Sequence, residues 1–491
     1  ATGLSILATT VGGTLLQSQE DRMRYDLPTD MRVTGIPLYT PGGLSGVMDK
    51  YLQSPEISSA SLAIRTSGYV NGGAVQVFAL ESAKVTELDW YFRKDFSETS
   101  LDEVMSVLSP PEALKRIIIP DGSSTIGLWA KPERPNPNLA LWLVLEDESG
   151  KMKTVSMGKL GHSDWRLHTG KLPSRPQQNF ELVSIQIFRS GLATSAQAGS
   201  LWIDDIYVST EDPNSIWANE ERILIDFEQQ SPQWAPIITS GLSRDKFSVT
   251  NKNAYNGVRS GLFTYGKDSA LGVRGFYRSL AGLDPHIPVV ISRSLSINTG
   301  YEIGDVFFVD ISGRSIPAVV KGLVDYFPTI LESRSSFIIA DLKMLLGTVN
   351  LVGNPAARST TEMRPNEIFL KKTRPSEPME QVLDDVTAMI ADIDDGGLTL
   401  ESIRSDPFSS AGWSGAVLLS LFVVILSASF GYGSYLLIFA IKSRYEVGFL
   451  KAMGLSRSQM VGVLAFEHLG IAGLAIGLGV WTGIQMSELM V

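Results

Sequence analysis

The hydrophobic rhythm of the chain changes several times, and each change predicts a different kind of element. From Tyr25 to about Leu108 the pattern is mixed. Ser59–Arg65 and Ala74–Leu80 alternate or run apolar as strands do, and Gly72-Gly73 between them predicts a hairpin. Ser45–Leu52 and Ser100–Leu108 have helical spacing, the second opening on SLDE, a cap followed by early acids. From Arg116–Ile119 to Gly261–Tyr265, short strand-like runs separated by turn residues follow one another without a long helical period. That spacing predicts a sandwich or jelly roll. After Tyr265 a mixed pattern returns. His286–Leu295 reads as a strand entering a helix, Tyr301–Asp310 and Ile316–Leu323 as paired strands, and Ser336–Ile339 as a strand before a helix at Asp341. Glu367–Lys371 reads as another strand and Pro378–Ile393 as a helix.

No low-complexity linker interrupts these runs, so the sandwich (111–268) reads as an insertion into one α+β domain with halves at 19–110 and 269–408. The apolar segments complete the layout. Residues 1–17 are uncharged but shorter than the roughly 20 residues a span requires. Charge returns at Glu20-Asp21-Arg22, so 1–18 reads as the end of a first transmembrane helix. Residues 411–441 and 461–491 read as two further spans, Ala411–Ile441 and Leu469–Ser487 being free of Asp, Glu, Lys and Arg. Trp413 lies near one end, as an interfacial anchor does. The expected fold class is thus a membrane α-helical protein carrying an α+β extracytoplasmic domain with an inserted all-β sandwich.

Composition narrows the chemistry. The 491 residues carry a formal charge of −10, which argues against a general nucleic-acid surface. With no cysteine there is neither a disulfide framework nor a thiolate metal site, and four histidines make a His-rich zinc site improbable. There is no G-x-x-x-x-G-K-[ST] phosphate loop, no G-x-S-x-G elbow and no H-E-x-x-H pair, so the chain is not expected to be an enzyme.

Three clusters remain. Asp204, Asp205, Asp226 and Glu228 either converge on a hard cation such as calcium, which takes several oxygen ligands, or satisfy strand-end amides. His162, Asp164 and His168 share strand parity, but a turn at Gly161–Ser163 favours solvated polar residues over metal ligands. Trp129, Trp142, Trp165, Trp202 and Trp234 are available either for sugar stacking or for the core. A fourth feature is Glu467, a carboxylate inside the last span, where such groups are costly unless functional or hydrated.

The connector 442–460, KSRYEVGFLKAMGLSRSQM, is the most informative stretch. Lys442, Arg444, Lys451 and Arg457 oppose only Glu446, which places it in the cytoplasm and the large domain outside. Arg444 and Glu446 are two apart and cannot face each other on a helix. Gly454 suits a left-handed helix end, and Ser456 with Gln459 matches a capping box for the next helix. The residues Arg444-Tyr445-Glu446, Phe449-Leu450-Lys451-Ala452-Met453-Gly454 and Glu467, with IPVVISRSL, IGDVFFVDISG, VVKGLVDYFPT and RPNEIFL in the outer domain, resemble the FtsX/MacB superfamily of ABC transporter permeases. The sandwich departs from the simpler members. Its GSLWIDDIYV, LIDFEQQSPQW and AYNGVRSGLFTY resemble the strands of carbohydrate-binding-module jelly rolls, in permuted order.

The permease resemblance implies a coupling helix in which Arg444, Glu446, Phe449, Leu450, Lys451 and Gly454 receive the motion of a separate ABC ATPase. ATP would be bound and hydrolysed on that partner. It also implies a second permease copy or homologous half, contact with membrane lipid, and a multi-pass cell-membrane location. The jelly-roll resemblance implies a structural calcium and, as an alternative function, a membrane-anchored surface protein that recognises glycan or cell wall.

Overall fold

In the computed structural model, residues 14, 17–36, 43–110, 116–147, 151–173, 179–189, 198–210, 221–228, 234–267, 273–278, 284–330, 336–352, 362–374, 391–405, 412–454 and 456–488 are described. The chain divides into two units: Leu27–Pro375 with Met379–Asp394, and the remainder, which contains the C-terminal helices.

In the first unit, β1 (Met31–Thr34) precedes helix α1 (Gly43–Gln53) and the hairpin β2 (Ile57–Val70)–β3 (Gly73–Leu80). The hairpin turns on Asn71 and Gly72, both at positive φ (50° and 82°), a two-residue connection whose twist matches the strands. Helix α2 (Leu101–Leu108) starts on a reciprocal cap: Ser100 Oγ accepts the Glu103 N–H while the Glu103 carboxylate accepts the Ser100 N–H.

The sandwich follows. Its strands are β4 (Ile118–Ile119), β5 (Thr125–Pro132), β6 (Asn136–Asp147), β7 (Met152–Leu160), β8 (Arg166–Lys171) and β9 (Phe180–Arg189), then β10 (Gly199–Ser209), β11 (Glu221–Ile225), β12 (Trp234–Pro236), β13 (Lys246–Thr250), β14 (Ser260–Tyr265) and β15 (Arg274–Arg278). The chain then returns through β16 (Ile287–Ser292), α3 (Arg293–Thr299), β17 (Val306–Ile311), β18 (Arg314–Val324), β19 (Phe337–Asp341), α4 (Leu342–Val352), β20 (Glu367–Lys372) and β21 (Asp392–Asp395).

Strands from both sides of the insertion interleave in one nine-stranded sheet, β17-β18-β16-β19-β3-β2-β20-β1-β21. The long β2 also pairs with β17 through Tyr69 and Gly68, so the sheet curls back on itself. Its inward residues, among them Val33, Ile64, Val77, Ile291, Val320 and Ile368, form a core closed by α1 and α4. On the other face Phe78, Trp90, Phe327 and Phe369 pack ring against ring under α2. Asp341 ties this layer together. One of its oxygens accepts the Lys343 and Met344 amides at the start of α4, and the other accepts the Ser82 hydroxyl.

In the sandwich, β13-β14-β10-β5-β8 faces β12-β15-β9-β6-β7, with β11 and β4 attached at the sides. Leu128, Ile203 and Phe263 from one sheet meet Leu143, Ile185 and Phe276 from the other. The outer face of the second sheet rests on α4: Val144, Val183, Ala235 and Tyr277 pack with Leu351, and Gln186 Nε2 donates to the Leu351 carbonyl. Strand β15 carries the sandwich past residue 268.

In the second unit, residues 17–26 are helical and α5 (Gly396–Ser405) precedes three C-terminal helices. These are α6 (Gly412–Lys442), α7 (Arg444–Ala452) and α8 (Arg457–Glu488). Spans Leu419–Lys442 and Arg457–Gln485 are long and apolar enough to cross a membrane, and they are the two such spans among the described residues.

The expected fold class is corrected by this architecture. Strand outweighs helix among the described residues and both apolar helices lie near the C-terminus, so the chain is mainly β rather than mainly membrane α-helical. Uncharged helical stretches announce themselves by length and hydropathy, whereas the many short strands each give a weak signal and together make most of the structure. Most of the expected first transmembrane segment, 1–18, lies outside the described residues, as does most of the helix expected at Pro378–Ile393. The end of the latter, Asp392 and Ile393, belongs to strand β21.

Candidate partner-docking site

The connector is built as three local devices. Helix α6 ends at Ser443, whose amide still donates to the Phe439 carbonyl and whose own carbonyl accepts the Val447 N–H, so α7 begins with almost no intervening chain. Helix α7 ends where Gly454 takes φ +88°, a conformation that favours glycine, with its amide on the Lys451 carbonyl. Helix α8 then starts on a capping box, Ser456 N to Gln459 Oε1 at 2.9 Å and Gln459 N to Ser456 Oγ at 3.3 Å. Two apolar helices are thereby joined by a nine-residue helix with defined ends.

The exposed surface of α7 is where partner contact is available. Tyr445, Phe449 and Met453 are 91%, 66% and 58% exposed and lie four residues apart, so they form one apolar ridge along the helix. Arg444 and Lys451 are exposed beside it, and Leu450 is half-buried. Glu446 lies on the helix, but its side chain is outside what the structure describes. Phe449 belongs to the coupling set that the permease resemblance implies, whereas Tyr445 and Met453 stand outside that set; their i, i+4, i+8 spacing was the available signal.

Glu467 is exposed on α8 and makes no ion pair among the described residues. His468 instead sets its edge against three rings of α6, Tyr432, Tyr435 and Phe439, at interplanar angles of 90°, 84° and 83°. A Cβ added at Gly473 or Gly477 would meet no neighbour, so the small-residue stripe of α8 is open.

The sandwich acids hold a loop. Asp204 is fully buried. Its Oδ2 accepts the Tyr255 and Asn256 amides at 2.8 and 3.3 Å, and its Oδ1 accepts the Asp205 amide at 3.0 Å. Asp205 accepts the Asn256 side-chain amide, Asp226 accepts the Glu228 amide, and Glu228 Oε1 accepts both Val258 and Arg259 amides. Burial pushes the Asp204 carboxyl up to about 6 and also raises Asp205. The Arg259 and Val258 amides hold Glu228 below the ordinary carboxylate range. Of the two readings open in the sequence, the geometry matches amide anchoring of residues 255–259. Among the described residues no group of three or more His, Cys, Asp or Glu side chains is placed to hold a metal ion.

The tryptophans separate. Trp234 is core, edge-on to Phe276, while Trp129 stacks on Tyr255 with centroids 3.8 Å apart and Trp165 stands against the same tyrosine. The stacked pair covers one face of each ring. His162 and His168 are buried, which corrects the expectation of solvated residues: β8 turns His168 inward, opposite Leu128.

No protein-family model matches the chain, and a search of curated proteins finds no match either.

Proposed function

We propose that this chain is a permease subunit of an ABC-type complex, in which α7 receives ATP-driven motion from a separate ATPase and the two apolar helices carry it across a cell membrane to the β-rich domain. The observation that carries this reading is the Tyr445–Phe449–Met453 ridge on a short cationic helix held between two membrane-length helices. An amphipathic helix of this kind fits a groove on a partner protein, and its capped ends let a push on α7 pass to both helices. The proposal keeps ATP on the partner, a second permease copy or homologous half beside α6 and α8, and lipid around them.

The test is capture of an ABC-type ATPase by the full chain in detergent. Each anchor residue of such a groove carries about 2 kcal/mol. Tyr445→Ala with Phe449→Ala is therefore expected to lower capture by at least tenfold while membrane insertion persists. Capture and ATP-dependent activity equal to wild type would refute the reading, and equal loss of membrane binding would assign the ridge to lipid.

A further inference from the structure

The two buried histidines of the sandwich present a proton-counting problem. His162 Nδ1 lies 2.7 Å from the Asp164 carbonyl and His168 Nδ1 lies 2.8 Å from the Met157 carbonyl. A carbonyl only accepts, so both Nδ1 atoms carry hydrogen. In the neutral rings both Nε2 atoms would then be bare, yet they face each other at 2.8 Å. Two lone pairs at that distance repel, and burial denies them water: the residues are 8% and 5% exposed. One cation must sit between them. A metal bound by both nitrogens at a tetrahedral angle would hold them about 3.3 Å apart, whereas 2.8 Å is the length of an N–H···N hydrogen bond.

From this geometry we infer that His162 and His168 share a single proton and that this proton clasps the crossing loop 161–165 onto β8, whose His168 in turn reaches the Met157 carbonyl of β7 in the other sheet. β7 is the last strand of one sheet and β8 the last of the other. The chain Met157 carbonyl, His168, His162, Asp164 carbonyl crosses the open edge between them. Deprotonation at Nε2 removes the central link, and one ring must give up its carbonyl bond to relieve the lone-pair contact.

The surroundings set which protonation states occur. β7 presents Val155 and Met157 with Lys159 exposed, β5 presents Leu128, β8 presents exposed Arg166, and the crossing loop presents exposed Asp164. Burial, then the neighbouring His162 and Arg166, push His168 down, which keeps a second extra proton off the pair. The pair therefore holds +1 over a window bounded below by that second protonation and above by loss of the shared proton. The sign follows: the clasp is present below the upper step and lost as pH rises through it.

Four histidines in the chain make the pair resolvable by selective ¹⁵N-histidine NMR of the full-length protein. The expected result is two rings that titrate together, with a scalar coupling between their Nε2 nuclei below the upper step. Hydrogen exchange of residues 157–170, corrected for intrinsic rate, is expected to rise by up to about tenfold per pH unit as pH climbs towards that step and to level off above it, as loss of one proton requires. His162→Gln is expected to remove this dependence. Two independently titrating neutral rings with no coupling would overturn the inference even if the variant fails to fold. So would zinc ions raising the protection at alkaline pH in chelator-stripped protein, which would assign the link to a metal.

Discussion

Asp204 offers a test of how the sandwich is held. In the folded protein its carboxyl is pushed up to about 6 by burial, against an ordinary 3.8. Between these values the folded state binds more protons than the unfolded state, so stability falls as pH rises through the window and is fully relieved only below it. The shift corresponds to an upper bound of about 3 kcal/mol at 1.36 kcal/mol per unit. The carboxyl lies beneath a loop open to solvent, and screening lowers this to about 1–2 kcal/mol. Asp204→Asn cannot ionise, and its amide oxygen can still accept the Tyr255 and Asn256 amides.

The prediction is read from denaturant unfolding of wild type and Asp204→Asn between pH 4 and pH 6.5. Wild type loses about 1–2 kcal/mol relative to the variant across that range, and the difference levels off above it. Exchange of the Tyr255 and Asn256 amides reports the same change locally. Parallel stability curves for the two proteins would refute the assignment, because an acid that titrates alike in folded and unfolded chains exerts no pH-dependent effect. Asp204→Ala, which strips all three accepted amides, is costlier at every pH.

Two further perturbations probe the frame. Gly275 sits at φ +153° on β15, and a Cβ there runs into the backbone carbonyl of Ile185 on the paired strand. Gly275→Ala should cost about 3 kcal/mol and lower the thermal midpoint, while the open Gly347→Ala should leave it unchanged or slightly raised. In the sheet, Arg65 Nε reaches Glu367 at 2.6 Å, both groups largely buried, and a second nitrogen donates to the Thr329 carbonyl at 2.9 Å. Arg65→Met should destabilise by about 3–5 kcal/mol because it strands Glu367, and adding Glu367→Gln should restore part of that loss in a double-mutant cycle.

What was legible in the sequence was local. The caps at Ser100 and Ser456 depend on residues three apart, and the Ile287–Ser292 strand turning into α3 at its Ser292 cap depends on immediate neighbours. Alternation exposed most sandwich strands. It missed Trp234–Pro236, which is too short for a period, and Arg274–Arg278, whose RGFYR carries a charge at each end of a buried run. The turn at Gly161–Ser163 pointed to solvated histidines, whereas His168 shares the inward face of β8 with a glycine. That glycine, Gly170, leaves room for Val155, and its place two residues along the strand from His168 was the available clue. Strand order in the nine-stranded sheet was out of reach, since it depends on pairings such as Ala79 with Ala340 that no local pattern encodes.

That last pairing governs the order in which the chain can assemble. β3 finds its neighbour β19, and β1 its neighbour β20, only after the sandwich residues between them have been made. Until then the hairpin β2–β3 has an unpaired edge, and an unpaired edge is where another chain can add. A sandwich that collapses first turns a long slack loop into a short rigid bridge, and each halving of effective loop length lowers the closure entropy by about 0.6 kcal/mol. The insertion thus acts on folding rate before it acts on anything else. A variant that slows the sandwich should extend the time during which β3 stands open, and aggregation during refolding would be its first symptom.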